Sequence, residues 1–197
     1  TISVPVTDDS IVEADETVVI TLGSITGDPQ INLGTTTQAS ITISDNDLAT
    51  VSIAATSPNA SEPSTNGQFT ISLTNVSSTN TVVTYTVGGT ALAGTDYTAF
   101  TGTVTINVGE SFATIPVSVI DELHVEGDET VVVTLVGVTG DPQISLGTTT
   151  QATVTISDND SATVSIAGTT NASEPSTNGL FTVSLSAASS TDTVVTY

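Results

Sequence analysis

Short runs of alternating apolar and polar residues recur along this chain, separated by turn-forming residues. Between residues 48 and 160 the alternation predicts seven strands, near 50–54, 68–73, 81–87, 103–108, 112–120, 130–136 and 151–157. The stretches between them, such as GGTALAGTD, VGES and GDPQ, have the composition of turns and loops. Seven short strands in roughly 110 residues, with no helical period, predict an all-β fold, an immunoglobulin-like Greek-key sandwich of two sheets.

The pattern is repeated. TISVPVTDDSIVEADETVVITL at residue 1 matches TIPVSVIDELHVEGDETVVVTL at residue 114, and NASEPSTNG occurs at residues 59 and 171. We therefore expect residues 48–160 to form a complete unit, residues 1–47 the back half of a preceding unit, and residues 161–197 the front half of a following one. These segments are called below the complete unit, the N-terminal half-unit and the C-terminal half-unit. The sequence predicts a part of a longer tandem array.

The charged side chains are all acidic. The chain has 21 Asp plus Glu, no Lys or Arg, one His and no Cys, for a formal net charge of -21. Such a surface repels nucleic acid and anionic lipid, so we expect neither a nucleic-acid partner nor direct membrane insertion. Clustered carboxylates could serve a hydrolase, but the chain offers no Lys, Arg, Cys or second His to work with them. We expect no enzymatic activity.

Strand counting places most acids at one pole of the complete unit. If consecutive strands alternate in direction, the acid-bearing loops after the first, third and fifth strands lie at the same pole as the end of the seventh. The opposite pole holds only Glu110 and Asp141. Two carboxylates about 4 Å apart repel by roughly 4 kcal/mol at an effective dielectric near 20. Without Lys or Arg, the available relief is a hard cation with oxygen ligands, and Ca²⁺ accepts such irregular sets more readily than Mg²⁺. Zinc or copper would favour His or Cys, and only His124 is present.

Four motifs then identify a family. They are SEPSTNG at Ser61–Gly67, AGTDY at Ala93–Tyr97, VIDELHVEGDET at Val119–Thr130 and TISDND at Thr155–Asp160. In this order they resemble the Calx-beta domain, found in sodium–calcium exchangers and in large extracellular adhesins. The resemblance covers the whole complete unit, and each half-unit matches its own portion. It implies a sandwich fold and calcium binding.

The resemblance also implies a ligand set. In the complete unit the implied metal ligands are Glu62, Asp96, Asp121, Glu122, Glu126, Asp158 and Asp160. Glu122 and Asn159 depart from the acidic residues usual in the family. The repeat extends the set to Asp8, Asp9, Glu13, Asp45 and Asp47 in the N-terminal half-unit and to Glu174 in the C-terminal one. We expect Asp128 and Glu129 to cap a turn and His124 to be a solvated loop residue.

These features predict a calcium-binding structural repeat of a long extracellular adhesin or surface filament, with Ca²⁺ stiffening the junctions between repeats. A ligand- or glycan-recognition module and a calcium-sensor domain of a membrane protein are the alternatives. Only Ser161 and Ala162 separate Asp160 from the next strand, so the acidic pole of one unit should abut the loops around Asn75–Asn80 of the next. The expected partners are thus neighbouring repeats and other copies in a filament. A less favoured arrangement joins residues 161–197 of one chain to residues 1–47 of another, without the segment matching Thr86–Ala113.

Overall fold

A computed structural model describes all 197 residues and contains strands but no helix. The strands are β1 Glu16–Thr21, β2 Gln38–Ile43, β3 Ala49–Ser57, β4 Asn59–Ser61, β5 Gly67–Leu73, β6 Thr81–Gly89, β7 Thr103–Ile106, β8 Phe112–Val117, β9 Glu129–Thr139, β10 Ile144–Leu146, β11 Gln151–Ser157, β12 Val164–Thr170 and β13 Leu180–Leu185. No helix is long and apolar enough to cross a bilayer. The all-β prediction is confirmed.

The complete unit is a sandwich of two sheets. One sheet has the order β10-β3-β5-β8 and the other β4-β11-β9-β6-β7. Along β5 the burial alternates at every residue, and the inward side chains Phe69 and Ile71 are fully buried. Across the core lie Val131 and Val133 of β9 and Val154 of β11, also fully buried. Period-two alternation thus produces the predicted double layer, since each sheet turns its apolar face to the other.

All seven predicted strands are present, and two further strands of three residues each are not predicted. Strand β4 pairs in parallel with β11, and β10 pairs in parallel with β3. Both are too short to show an alternating pattern, and their partners are distant in sequence. The predicted strand at 112–120 ends at Val117, and Val119 instead forms an isolated bridge with Tyr97.

Each half-unit contains one antiparallel hairpin. Strands β1 and β2 pair from Glu16 with Ile43 to Thr21 with Gln38. Strands β12 and β13 pair from Val164 with Leu185 to Thr170 with Leu180, with an irregularity after Gly168. By the repeat, the first hairpin corresponds to β9 and β11 and the second to β3 and β5, so the two hairpins represent opposite sheets of the sandwich.

Successive units are joined in the same way twice. The Val12 backbone amide donates to the Val76 carbonyl at 2.9 Å, and the Ser78 amide donates to the Val12 carbonyl at 3.0 Å. The second joint repeats this with Val125, whose amide donates to Ala188 at 2.9 Å and whose carbonyl accepts from Ser190 at 3.1 Å. Val12 is fully buried in its joint. The contact lies in the loops around Asn75–Asn80, as the sequence predicts.

Candidate metal centre

The pole at which β11 ends gathers most of the acids of the complete unit. Glu62 follows β4, and its backbone amide donates to the Ser157 carbonyl at 3.1 Å, which fixes the first acidic loop against the end of β11. Its side chain is only 8% exposed. Glu62 therefore lies beside the TISDND segment although nearly one hundred positions separate them in the sequence.

Asp96 is brought to the same pole by a sharp turn after β6. Gly89 has φ of +111°, and a Cβ there would lie 2.0 Å from the Thr130 carbonyl oxygen, so only glycine fits. Beyond it, the Thr90 and Ala91 amides donate to that carbonyl at 2.9 and 3.1 Å. The Asp96 carboxylate accepts from the Leu92 amide and is only 4% exposed. The turn thus buries Asp96 near the beginning of β9.

Asp158 organises the two remaining acidic segments. Its two carboxylate oxygens accept from the Glu126 amide at 2.7 Å and the Asp160 amide at 2.8 Å. Burial alone would raise the pKa of Asp158, but these amide donors outweigh it, and the pKa is lowered. Asp158 therefore stays ionised while it holds the 121–126 loop against the end of β11.

Three overlapping groups of side chains could each hold a metal ion, with ligand atoms within 4.8 Å of one another in each group. Glu122 belongs to two of them and Glu126 to two, so the groups form one continuous cluster. Their members are Glu62, Glu122 and Asp160; Glu122, His124 and Glu126; and Asp96, Glu126 and Glu129.

The first of these groups carries buried oxygens with no donor. Glu62 Oε2, Glu122 Oε1 and Asp160 Oδ2 are inaccessible to solvent and accept no hydrogen bond. Such orphaned acceptors are costly and uncommon in native proteins. One atom comes from each member of the group, and all three are carboxylate oxygens, the donor type that Ca²⁺ takes. The donor set therefore fits a hard divalent cation.

The crowding of carboxylates also shifts the pKa values in this cluster. Burial, together with the charges of Glu122 and Asp158, raises the pKa of Glu62 to about 7. Burial and the adjacent Asp96 carboxylate raise the pKa of Glu129 to about 7. The pKa values of Glu126 and Asp160 are also raised, first by burial and then by neighbouring carboxylates. A bound cation would favour the ionised forms and reverse these shifts.

Of the seven acids expected in the complete unit, five belong to the three groups. Asp158 lies among them as their organiser, and Asp121 is exposed at the rim, where Asn159 Nδ2 approaches its Oδ1 at 3.4 Å. His124 is about half exposed, and its Nδ1 lies 3.2 Å from a Glu122 oxygen. Sequence reasoning missed Glu129: it begins β9, as a capping residue would, but its carboxylate also meets those of Asp96 and Glu126.

The N-terminal half-unit reproduces part of this arrangement. A cavity of about 480 Å³ is lined by all five acids expected there, Asp8, Asp9, Glu13, Asp45 and Asp47, and also by Glu16, the counterpart of Glu129. Asp45 accepts from the Glu13 amide at 2.8 Å and from the Asp47 amide at 3.1 Å, as Asp158 does in the complete unit. The Glu13 amide lowers the pKa of Asp45, whereas burial raises the pKa values of Glu13 and Asp47.

Glu174 stands apart from these clusters. It is exposed, and the residues around its shallow site, Ala172–Asn178, include no other acid. The structure therefore does not bring Glu174 together with the other expected ligands.

One family model and several solved structures are similar to this chain. The Calx-beta domain family model matches residues 1–47 and 45–160. The apo-form Calx CBD1 domain is 23% identical over 56% of this chain and 99% of its own, with a TM-score of 0.46. CBD12 from CALX1.2 is 24% identical over 55% of this chain and 44% of its own, with a TM-score of 0.45. The Calx CBD2 domain is 16% identical over 54% of this chain and 85% of its own, with a TM-score of 0.44. No curated protein matches. The family match spans most of the sequence, and the chain belongs to the Calx-beta domain family.

Proposed function

We propose that this protein is a non-catalytic structural module that binds Ca²⁺ at its acidic pole and that the bound ions stiffen the joints between successive units. The setting we propose is the cell surface or the extracellular space, in an adhesin or a filament. Bound Ca²⁺ would supply positive charge that the chain itself lacks. Glu62, Asp96, Glu122, Glu126, Glu129 and Asp160 would hold it, with Asp158 positioning their loops.

The observation that carries the proposal is the trio of buried, donorless oxygens. Glu62, Glu122 and Asp160 come from three separate loops, yet each has one buried carboxylate oxygen without a hydrogen-bond donor, and carboxylate oxygens of the three residues lie within 4.8 Å of one another. No Lys or Arg exists anywhere in the chain to pair with them. Because an unpaired buried charge costs several kcal/mol, a cation at this place stabilises the fold, and Ca²⁺ suits an all-carboxylate set.

The link to the joints rests on Val125. This residue lies between His124 and Glu126, both members of the metal-binding groups, and it makes the backbone bonds to the C-terminal half-unit. In the first joint Val12 immediately precedes Glu13, which lines the acidic cavity. A metal ion that orders the acidic loop therefore also orders the valine that makes the backbone hydrogen bonds to the adjoining unit.

Titration of the whole chain with Ca²⁺ by isothermal calorimetry, followed by scattering with and without chelator, tests both parts. We expect binding at about 10⁻⁴ to 10⁻³ M, the range of extracellular modules, and a stiffer particle when calcium is bound. Absence of calcium binding would refute the metal site. Binding with equal flexibility in both conditions would refute the role at the joints.

A calcium sensor is the second candidate, favoured by the same placement of Val12 and Val125. A loop that binds a metal ion and also contacts the neighbouring unit can pass the effect of metal binding to that unit. The two functions differ in affinity. Sensors bind at about 10⁻⁷ to 10⁻⁵ M, so a dissociation constant in that range would favour the sensor over the extracellular module.

A further inference from the structure

We propose that Glu122, His124 and Glu126 form a separate site for a transition-metal ion such as Zn²⁺, beside the calcium centre. In the proposed function His124 takes no part. It is the only histidine of the chain, and the chain has no cysteine. The loop that carries His124 is therefore the one place where carboxylates meet a ligand of the kind that zinc, copper and nickel ions prefer.

The three side chains converge closely enough to share an ion. One ligand atom of each lies within 4.8 Å of those of the other two. His124 Nδ1 and Glu122 Oε2 are 3.2 Å apart, close to the roughly 3.4 Å that separates two ligands of a tetrahedral zinc ion bound at about 2.1 Å. One imidazole and two carboxylates leave the fourth position of such an ion to water.

The backbone of the loop holds these ligands in place. The His124 amide donates to Glu122 Oε2 at 2.7 Å, and the Glu126 amide donates to Asp158 at 2.7 Å. Between His124 and Glu126, Val125 makes the backbone bonds to the C-terminal half-unit. The loop is thus anchored at three successive points, so the spacing of the three ligands does not depend on the side chains alone.

Glu122 has one carboxylate oxygen for each kind of ion. Its Oε2 lies beside His124. Its Oε1 is buried without a hydrogen-bond donor, as is one oxygen each of Glu62 and Asp160, the other members of its calcium group. Ca²⁺ takes oxygen ligands, whereas an imidazole favours a transition metal. If the proposed calcium function holds, Glu122 therefore bridges two different ions, while the site at His124 does not itself require calcium.

The N-terminal half-unit has the same loop without the imidazole. Its residues at the three positions are Asp9, Ile11 and Glu13. The Ile11 amide donates to Asp9 Oδ1 at 2.8 Å, as the His124 amide donates to Glu122. Both loops therefore offer carboxylates to calcium, but only the loop with His124 offers a nitrogen. The two joints beside these loops then differ in the metal ions to which they respond.

The single histidine makes a specific test possible on the whole chain. Zn²⁺ is titrated by calorimetry and, in parallel, by NMR of the imidazole ring, whose signals come from one residue. We expect one zinc ion per chain to bind and to shift the ring signals with the dissociation constant found by calorimetry. In saturating calcium, zinc should still bind.

His124→Asn should weaken this zinc binding at least about tenfold, since even residues that only support a metal ligand are worth about ten- to a hundredfold in affinity. It should leave calcium binding unchanged. Ile11→His is the corresponding gain of a site and should raise the stoichiometry to two zinc ions per chain. Ser10→His adds the same side chain one position earlier, outside the alternate spacing, and should not.

Zinc binding that leaves the ring signals in place, or that His124→Asn does not weaken, would overturn the site, because the ion would then lie on carboxylates alone. Zinc binding that saturating calcium abolishes would overturn the bridge at Glu122. Calcium titration of the same samples keeps the two proposals separate. Zinc binding at His124 without calcium binding would refute the calcium function only, and calcium binding by a chain whose imidazole does not respond to zinc would refute this site only.

Discussion

Replacing Glu62 by glutamine should have opposite effects with and without calcium. The amide keeps the size of the side chain but removes a carboxylate that is 8% exposed and crowded by Glu122 and Asp158. In metal-free buffer the variant should therefore be more stable than the parent. In calcium it should gain less stability than the parent, because one carboxylate ligand of the ion is lost.

The magnitude follows from the pKa of Glu62, which is about 7 in the folded protein and 4.5 ordinarily. At pH 8 the ionised side chain opposes folding by about 3 kcal/mol, at about 1.4 kcal/mol per pKa unit. Water reaching the pole screens part of this, and we expect a net gain of about 1–2 kcal/mol for the variant. Such a gain raises the unfolding temperature of a domain of this size by roughly 5 °C.

The stabilisation of the folded protein by calcium follows from mass action. At a hundredfold excess over the dissociation constant, calcium stabilises the parent by about 2.7 kcal/mol. A tenfold weaker site loses about 1.4 kcal/mol of that increment. Thermal unfolding at pH 8, in chelator and in millimolar calcium, measures both the metal-free stability and the stability gained from calcium. Glu110→Gln, at the opposite pole and exposed, is the matched control and should change neither.

Loss of stability in chelator would refute the buried-charge argument. An unchanged calcium increment would show that Glu62 is not a ligand.

Three further outcomes are expected. The pKa values of Glu62 and Glu129 are raised from 4.5 to about 7, so both side chains bind protons more tightly in the folded protein. Metal-free protein should therefore be more stable against urea at pH 5 than at pH 8, and saturating calcium should remove that gain. Lower stability at pH 5 would contradict this prediction. Gly89→Ala forces a Cβ against the Thr130 carbonyl and should cost at least about 2 kcal/mol by urea unfolding and weaken calcium binding by calorimetry, whereas Gly127→Ala, with open space around it, should do neither. Val12→Asp places a charge in the buried joint and should loosen the particle in scattering, whereas Asp15→Asn, exposed in the same loop, should not; an unchanged profile for Val12→Asp would show that the joint does not depend on this side chain.

The sequence predicts the sandwich well because each long strand carries its own signal. Alternation along β5 and β9 is visible without knowledge of any partner. By contrast, β4 and β10 exist only because each lies beside a distant strand, so three residues of sequence could not reveal them.

The same distinction applies to the acidic pole. Strand direction alone places Glu62, Asp96 and Asp158 at one end of the unit. The proximity of Glu129 to Asp96 depends on how the turn at Gly89 folds back over Thr130, and spacing along the chain does not contain that information. Likewise, the short linker predicts that two units abut, but the burial of Val12 is a property of the assembled surface.

The path of the chain through the unit has a mechanical consequence. In the proposed filament, tension along a row of units would enter each unit at β3, the strand that follows the preceding joint, and leave at β11, which lies in the other sheet. Each of these strands is flanked by a short parallel neighbour, β10 beside β3 and β4 beside β11. A pull along the strand axes acts across their hydrogen bonds in shear, and the bonds must yield together instead of opening one after another. In such a filament, β10 and β4, which sequence patterns fail to reveal, would therefore resist unfolding at the two points where load enters and leaves each unit.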